Sequence, residues 1–169
     1  DTSAPSAAAW LDRFAKEGSK VVDGVKGRFA VAFIDTRSNT VSLFNDRFDT
    51  EPWCYGHEHG EFAFADRADG VPLEKRSISP QTIFDYLYFH VIPSPLTIFN
   101  EVRRLQPASR LQWNGGTAQV AKYWIPSFTE APGISLAEAK GRFLDIVRES
   151  VRNEYAGPNT GSFLSGGTD

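Results

Sequence analysis

The sequence predicts an α+β fold in which antiparallel strands are layered with helices. Several short segments rich in Val, Ile, Phe and Ala are separated by turn residues, which is typical of strands. Longer segments carry apolar side chains at helical spacing and begin at Ser or Pro, which is typical of capped helices. Aromatic residues make up 13% of the chain, a high content that fits a core built on sheets.

The composition indicates a folded globular chain. Hydrophobic residues make up 41% and charged residues 23% of the 169 residues, and the net charge of −3 argues against a general binder of nucleic acid or anionic membranes. Cys54 is the only cysteine, which excludes an internal disulfide and favours a cytoplasmic location. The chain has no Met and begins with Asp1. We therefore expect a piece excised from a longer protein.

The first predicted element is a helix over residues 5–17. Pro5 suits its first turn, and Gly18 is a plausible stop. Its apolar stripe consists of Trp10, Leu11 and Phe14.

Four strands are predicted next. Residues 28–35 are apolar on both faces, so we expect this strand to be covered on both sides. Residues 41–44 form the returning strand, and residues 53–55 and 61–65 form a second hairpin. Because the connections are short, we expect all four strands to make one antiparallel meander.

A second helix is predicted to begin with Ser79 as N-cap and Pro80 at its first position, and to end before Pro93. We interpret its aromatic residues as core plus interface; they are Phe84, Tyr86, Tyr88 and Phe89. Residues 105–113 and 117–124 then predict another strand pair around a Gly-rich turn.

The composition changes after residue 125. Pro, Ser, Thr and Gly concentrate in residues 126–134, which indicates a linker. Ser135 and Glu138 form a capping-box pattern before a helix that extends to about residue 155. A final strand is expected to lead into the Ser-Gly-Gly turn of residues 165–167.

The terminal turn has the features of a phosphate site. Two glycines without Cβ atoms let backbone N–H groups approach an anion, although such a site normally needs a helix directly after it. The alternative is a plain Gly-rich turn.

The order of these segments resembles a known family. Residues 27–35 resemble the Gly-x-Phe-Ala-x-x-x-x-Asp strand of class II glutamine amidotransferase domains, and residues 45–52 resemble the Arg-Asp-x-x-Gly-x-x-Pro segment that follows it. Residues 164–169 are similar to the Ser-Gly-Gly-x-Asp-Ser loop of ATP pyrophosphatase domains. Shorter matches at 61–65, 97–99, 105–107 and 123–124 complete the resemblance to a middle slice of an asparagine synthetase-like protein.

The resemblance implies a specific architecture. Residues 1–125 would be a truncated amidotransferase-like domain without its N-terminal nucleophile, folded as an incomplete αββα Ntn-hydrolase-like antiparallel sandwich. Residues 126–134 would be the linker. Residues 135–169 would supply the first helix and strand of an α/β nucleotide-binding domain.

The resemblance also implies an activity for the parent protein. It would be a ligase that converts aspartate, glutamine or ammonia, and ATP into asparagine, AMP and pyrophosphate. Ser165 and the amides of Gly166 and Gly167 would hold pyrophosphate, the Leu164 backbone would lie on the adenine–ribose side, and Asp169 would bind Mg²⁺. ATP and Mg²⁺ are thus cofactors of the parent, and none is expected on this chain alone.

Several positions depart from the family pattern. They are Asp1 in place of the nucleophilic Cys, Ser6 in place of a glutamine-binding Asp, Asn45 in place of Arg, Asp49 in place of Gly, and Asp66-Arg67 in place of Ser-Glu. No catalytic residue is therefore assigned, the glutamine-binding residues stay unknown, and we expect this chain to be inactive. Two alternatives stay open: an amidoligase or cyclase related to β-lactam synthetases with a degenerate glutaminase half, and a non-catalytic Ntn-like interaction domain.

Other chemically interesting side chains favour structural roles. His57 and His59 would share a strand face beside Glu58, but two histidines without a third ligand favour a solvated hairpin tip over a metal site. Cys54 fits a buried small hydrophobe. Arg103, Arg104 and Arg110 fit the solvent face of a strand pair, and His90 a helix end.

The expected partners follow from the resemblance and the composition. They are small molecules (ATP, aspartate, and glutamine or ammonia), with no nucleic acid and no membrane. A homodimer is an open alternative to a monomer, because open strand edges and exposed apolar faces favour association.

Overall fold

The computed structural model describes residues 5–130 and 132–163. The described residues divide into two units, one of residues 5–126 and one that contains residues 127–130 and 132–163. No helix in the described ranges combines the length and the apolar character needed to cross a membrane.

The first unit contains two helices and seven strands among its described residues. In chain order they are α1 (Ala7–Glu17), β1 (Ala30–Asp35), β2 (Thr40–Asn45), β3 (Cys54–Glu58), β4 (Glu61–Ala65), α2 (Pro80–Phe89), β5 (Arg103–Arg104), β6 (Ser109–Trp113) and β7 (Gln119–Lys122). Two single-turn 3-10 helices lie at Gly18–Lys20 and Ala68–Gly70.

The strands form two separate antiparallel sheets. The first sheet has the order β1-β2-β6-β7, and the second has the order β4-β3-β5. The predicted single meander is therefore wrong, because the β1–β2 hairpin and the β3–β4 hairpin lie in different sheets. Between them the backbone turns at Asp49, which has a left-handed φ of 55°, and this turn directs β3 into the second sheet.

Three apolar clusters hold the layers together. Helix α1 covers the outer face of the first sheet, where Phe14 stacks on Phe33 with ring centroids 3.9 Å apart. The two sheets meet face to face over a core of Val41, Leu43, Leu105, Leu111 and Trp113. On the outer face of the second sheet, Cys54 packs with Val71 and Val102. The first unit therefore has three layers, in the order α1, first sheet, second sheet.

Strand β1 is covered less completely than its sequence predicts. Val31 and Phe33 pack under α1, and Ala32 packs toward the second sheet. Ile34 nevertheless stays 62% exposed. β1 is an edge strand whose far end extends past the cover, so the prediction of burial on both faces is wrong at this end.

Helix α2 begins as predicted, with the Ser79 hydroxyl accepting a hydrogen bond from the Thr82 N–H. It ends at His90, whose left-handed backbone lets its N–H donate to the Tyr86 carbonyl. The end therefore comes before Pro93. Its aromatic residues are exposed, Tyr88 to 70%, so their assignment to the core is wrong. Thr82 is the one buried residue of α2. The face of α2 that carries Thr82, and not the face that carries the aromatic side chains, is turned toward the rest of the first unit.

The second unit is described mainly by one helix, α3 (Leu136–Glu154). The Ser135 hydroxyl accepts from the Glu138 N–H, which confirms one half of the predicted capping box. The Glu138 carboxylate accepts from Arg142 one turn later. The strand predicted before the Ser-Gly-Gly turn is wrong at residues 162 and 163, which pair with no described strand. The rest of that prediction lies outside the described residues.

Candidate functional site

A groove of about 890 Å³ runs between α1 and β1. Its floor is apolar and its ends carry polar side chains; the lining includes Trp10, Leu11, Phe14, Val31 and Phe33, with Arg28, Asp35, Arg37 and Thr40 at the ends. Enclosed apolar surface with a few polar groups is the usual character of a binding site, so this groove is the first candidate.

The polar groups near the groove are already engaged with the protein. Ser6 is the N-cap of α1, and its hydroxyl accepts from the Ala9 N–H at 3.2 Å. The Asp35 carboxylate accepts hydrogen bonds from the Ser38 hydroxyl and the Arg37 N–H, each at 2.8 Å. These bonds hold the pKa of the Asp35 carboxyl below its ordinary value, and the bond from Ser38 has the largest effect. Neither group is arranged as a general base beside a nucleophile.

The one thiol lies away from this groove. Cys54 is 5% exposed and packs on the outer face of the second sheet, which confirms the prediction of a buried hydrophobe. Burial raises the pKa of the Cys54 thiol, and the opposing effect of the Arg104 charge is smaller. A neutral, buried thiol is a poor nucleophile.

A second candidate is the buried polar segment that follows β2. Asp46 is 1% exposed, and its carboxylate accepts from the N–H groups of Phe48 at 2.9 Å and Thr50 at 3.2 Å, and from the Thr50 hydroxyl. The Phe29 N–H adds a longer bond of 3.4 Å. Burial by itself raises the pKa of Asp46, but these hydrogen bonds together outweigh burial and hold the pKa below its ordinary value.

Asn45, Asp49 and Arg104 form a connected network beside Asp46. The Asn45 amide donates to the Asp49 carboxylate at 2.7 Å, and Arg104 Nε donates to the other Asp49 oxygen at 2.7 Å. Asn45 also donates to the Gln106 carbonyl at 3.0 Å and accepts from the Ser109 N–H at 3.1 Å. The network therefore fastens the turn after β2 to the chain that leads into β6.

This network corrects the interpretation of the arginines. Arg104 does not simply face solvent, because the buried Asp49 carboxylate requires a charged partner. Arg110 donates to the Ser19 carbonyl at 3.3 Å, and Arg103 is exposed. Since the polar atoms of Asn45 and Asp49 are satisfied by the protein, the segment has a structural role. Sequence reasoning missed the network, although the paired departures at these two positions were a signal that they interact.

The histidines are arranged differently from the prediction. His57 lies within β3, but His59 lies in the turn after it with φ of 53°, so the two do not share a strand face. The ligand atoms of Glu58, His59 and Glu74 lie within 4.8 Å of one another. Glu74 is a third potential ligand that the local pattern could not reveal.

The predicted nucleotide-site residues lie outside the described part of the chain. They are Leu164, Ser165, Gly166, Gly167 and Asp169, and their roles stay predictions.

Comparison with known proteins places this geometry in context. A family model described as a glutamine amidotransferase domain matches residues 6–124. The "Putative asparagine synthetase (glutamine-hydrolyzing) 2" of Methanocaldococcus jannaschii is 24% identical, over 94% of this chain and 32% of the relative. Asparagine synthetase (glutamine-hydrolyzing) 3 of Bacillus subtilis is 24% identical, over 88% of this chain and 25% of the relative. The chain spans a quarter to a third of the length of these curated relatives.

Proposed function

The chain belongs to the glutamine amidotransferase domain family, and we propose that it is part of an ATP-dependent amidoligase of the asparagine synthetase type. The parent protein would convert aspartate, ATP, and glutamine or ammonia into asparagine, AMP and pyrophosphate. The alignments with glutamine-hydrolysing asparagine synthetases support this proposal, because they cover 88% to 94% of the chain and continue past the amidotransferase domain.

The layered fold supports the amidotransferase half of the proposal. In this proposal, the two face-to-face antiparallel sheets and α1 would be three layers of an αββα Ntn-hydrolase-like sandwich. In the same proposal, α3 would be the first helix of the nucleotide-binding domain. The capped start of α3 at Ser135 fits a new folding unit after the linker.

We infer that this chain does not hydrolyse glutamine by itself, and the main support is the burial of Cys54. Glutamine hydrolysis in this family requires a cysteine nucleophile that reaches the amide carbonyl of the substrate. The thiol must be accessible and readily ionised, and Cys54 is neither. It also lines none of the α1–β1 groove.

In this proposal, the terminal loop of residues 164–169 provides groups that bind ATP and Mg²⁺ in the parent protein. ATP with Mg²⁺ would supply an adenylate leaving group for a carboxylate that is otherwise a poor electrophile. Ser165, Gly166 and Gly167 would offer hydrogen bonds to pyrophosphate, with Leu164 beside adenine–ribose and Asp169 as a Mg²⁺ ligand. The support for these roles is the Ser-Gly-Gly-Thr-Asp sequence itself.

A second candidate is an amidoligase or cyclase that uses ammonia or an internal amine, with a degenerate glutaminase half. Ser6 favours this candidate, because it stands where the family pattern has a glutamine-binding Asp. Its hydroxyl is held by the N-cap bond to Ala9 and carries no charge for an amino group of the substrate. An Asp at the same position could both cap the helix and bind a cation.

The test is an exchange of labelled pyrophosphate into ATP, catalysed by a longer protein that contains this chain. We expect exchange that depends on aspartate, because adenylation of its carboxylate is reversible. A lack of exchange with aspartate and with every other amino acid would contradict the synthetase proposal and favour a non-catalytic interaction domain. If exchange occurs, a protein that forms the amide with ammonium but not with glutamine has a degenerate glutaminase half, which is the second candidate above.

A further inference from the structure

The tip of the β3–β4 hairpin brings together three potential metal ligands from two parts of the chain. Glu58 and Glu61 are paired across the hairpin, and His59 and Gly60 form the two-residue turn between them. Both turn residues have positive φ, 53° and 81°, as a type I′ hairpin turn requires. Glu74 approaches the tip from the loop that follows β4.

The Glu58 carboxylate is held in place by this loop. Its Oε2 accepts from the Glu74 N–H at 2.8 Å, and its side chain is only 22% exposed. Its Oε1 lies 3.8 Å from His59 Nε2. That separation is too long for a hydrogen bond, so the carboxylate and the imidazole are neighbours without a direct bond.

We propose that Glu58, His59 and Glu74 bind one Zn²⁺ ion. Ligand atoms on one zinc ion lie about 3 to 3.5 Å apart, because each bond is about 2.0–2.2 Å long. The three ligand atoms here lie within 4.8 Å of one another, so small rotations of the exposed His59 and Glu74 side chains complete the site. Two carboxylates in this space repel each other, and a divalent cation removes that repulsion.

The ligand set and its surroundings specify the type of metal site. An imidazole with two carboxylates suits zinc better than Mg²⁺ or Ca²⁺, which prefer oxygen ligands alone. A groove of about 500 Å³ lies against the three residues, with Phe62, Phe64 and Leu73 on its apolar side. It leaves room for a water molecule at the fourth position of the ion.

Zinc at this place would connect the hairpin tip to the 72–74 loop. Leu73 packs in the cluster on the outer face of the second sheet, next to Glu74. Because the ligands come from separate segments, bound zinc would stabilise the folded state. The site is independent of the proposed amidoligase activity.

Calorimetric titration of the 169-residue chain with zinc chloride tests the proposal. We expect one saturable ion per chain. His59→Asn and Glu74→Gln should each weaken zinc binding by at least about tenfold. His59→Asn is suitable because Asn tolerates the left-handed conformation of the turn. His57→Asn is the matched control, since His57 is an exposed histidine on the same hairpin outside the three-ligand group.

Thermal unfolding gives a second readout. Zinc should raise the melting temperature of the wild-type chain and of His57→Asn, and should leave that of His59→Asn unchanged. The proposal is overturned if the wild-type chain shows no saturable zinc binding. It is equally overturned if either His59→Asn or Glu74→Gln binds zinc as tightly as wild type, or if His57→Asn weakens binding as much as His59→Asn does.

Discussion

At the residue scale, Asp49 combines an unfavourable backbone with a favourable ion pair. Its φ of 55° lies in the left-handed region, which Gly adopts freely and which costs most other residues free energy. In exchange, its carboxylate lies 2.7 Å from both the Asn45 amide and Arg104 Nε. The departures from the family pattern at Asn45 and Asp49 are therefore one arrangement, in which a hydrogen-bonded carboxylate replaces a flexible glycine.

We predict that Asp49→Ala lowers the free energy of unfolding by about 2–3 kcal/mol, because it removes a charged hydrogen-bond partner and keeps the left-handed backbone. Asp49→Gly should recover about 1 kcal/mol of that loss, since Gly tolerates the conformation. Urea unfolding measures both values. Asp12→Ala on the exposed face of α1 is the control, with a change within about 0.5 kcal/mol. An Asp49→Ala variant as stable as wild type would refute the structural role of the network.

Asp46 gives a pH-dependent prediction at the same scale. Its folded-state pKa lies below the unfolded value, so its stabilising contribution is present above the unfolded pKa of about 4 and is lost as the pH falls through the folded pKa. Asp46→Asn should therefore cost about 2 kcal/mol at neutral pH. The difference between the two proteins should shrink steadily in acid.

Chemical unfolding of wild type and Asp46→Asn between neutral pH and pH of about 2 measures this difference. Asp12→Asn, at an exposed position, is the matched control and should change the free energy of unfolding by no more than about 0.5 kcal/mol. A difference for Asp46→Asn that stays constant over the whole range would mean that the charge of Asp46 does not contribute.

At the element scale, local signals predicted the elements better than their assembly. The caps at Ser79 and Ser135 are local, so the starts of α2 and α3 follow from the sequence. The division into two sheets depends on the turn at Asp49 and on the bond from Asn45 to residues near β6, about 60 positions away. The approach of Glu74 to His59 depends on the packing of Leu73 on the outer face of the second sheet. Neither could be predicted from spacing.

Strand β3 offers a test of that packing. A Cβ atom at Gly56 would lie 2.8 Å from Leu73 Cδ1 and 2.9 Å from the Glu101 carbonyl oxygen, and the latter is backbone that cannot move alone. Gly56→Ala should therefore destabilise the fold by about 1–3 kcal/mol. Gly116→Ala, where a Cβ atom meets nothing within 4 Å, should not. Equal stability of the two variants in urea unfolding would contradict the described contact of β3 with the Leu73 loop.

At the scale of the whole molecule, we propose that the chain supplies the amidotransferase fold without the amidotransferase chemistry. The facing sheets and α1 supply the family architecture, and the match over residues 6–124 follows that architecture. The one cysteine of the chain is used for packing. In our proposal, the amide-forming activity belongs to a longer protein, to which this chain contributes the framework.

The most direct test of this account is glutamine hydrolysis by the purified 169-residue chain, measured as glutamate released. We predict no release above the buffer background for wild type, and the same result for Cys54→Ala, because the Cys54 thiol is buried and its pKa is raised. Circular dichroism of both proteins should confirm that they are folded. Glutamate release by wild type that is lost in Cys54→Ala would contradict the account.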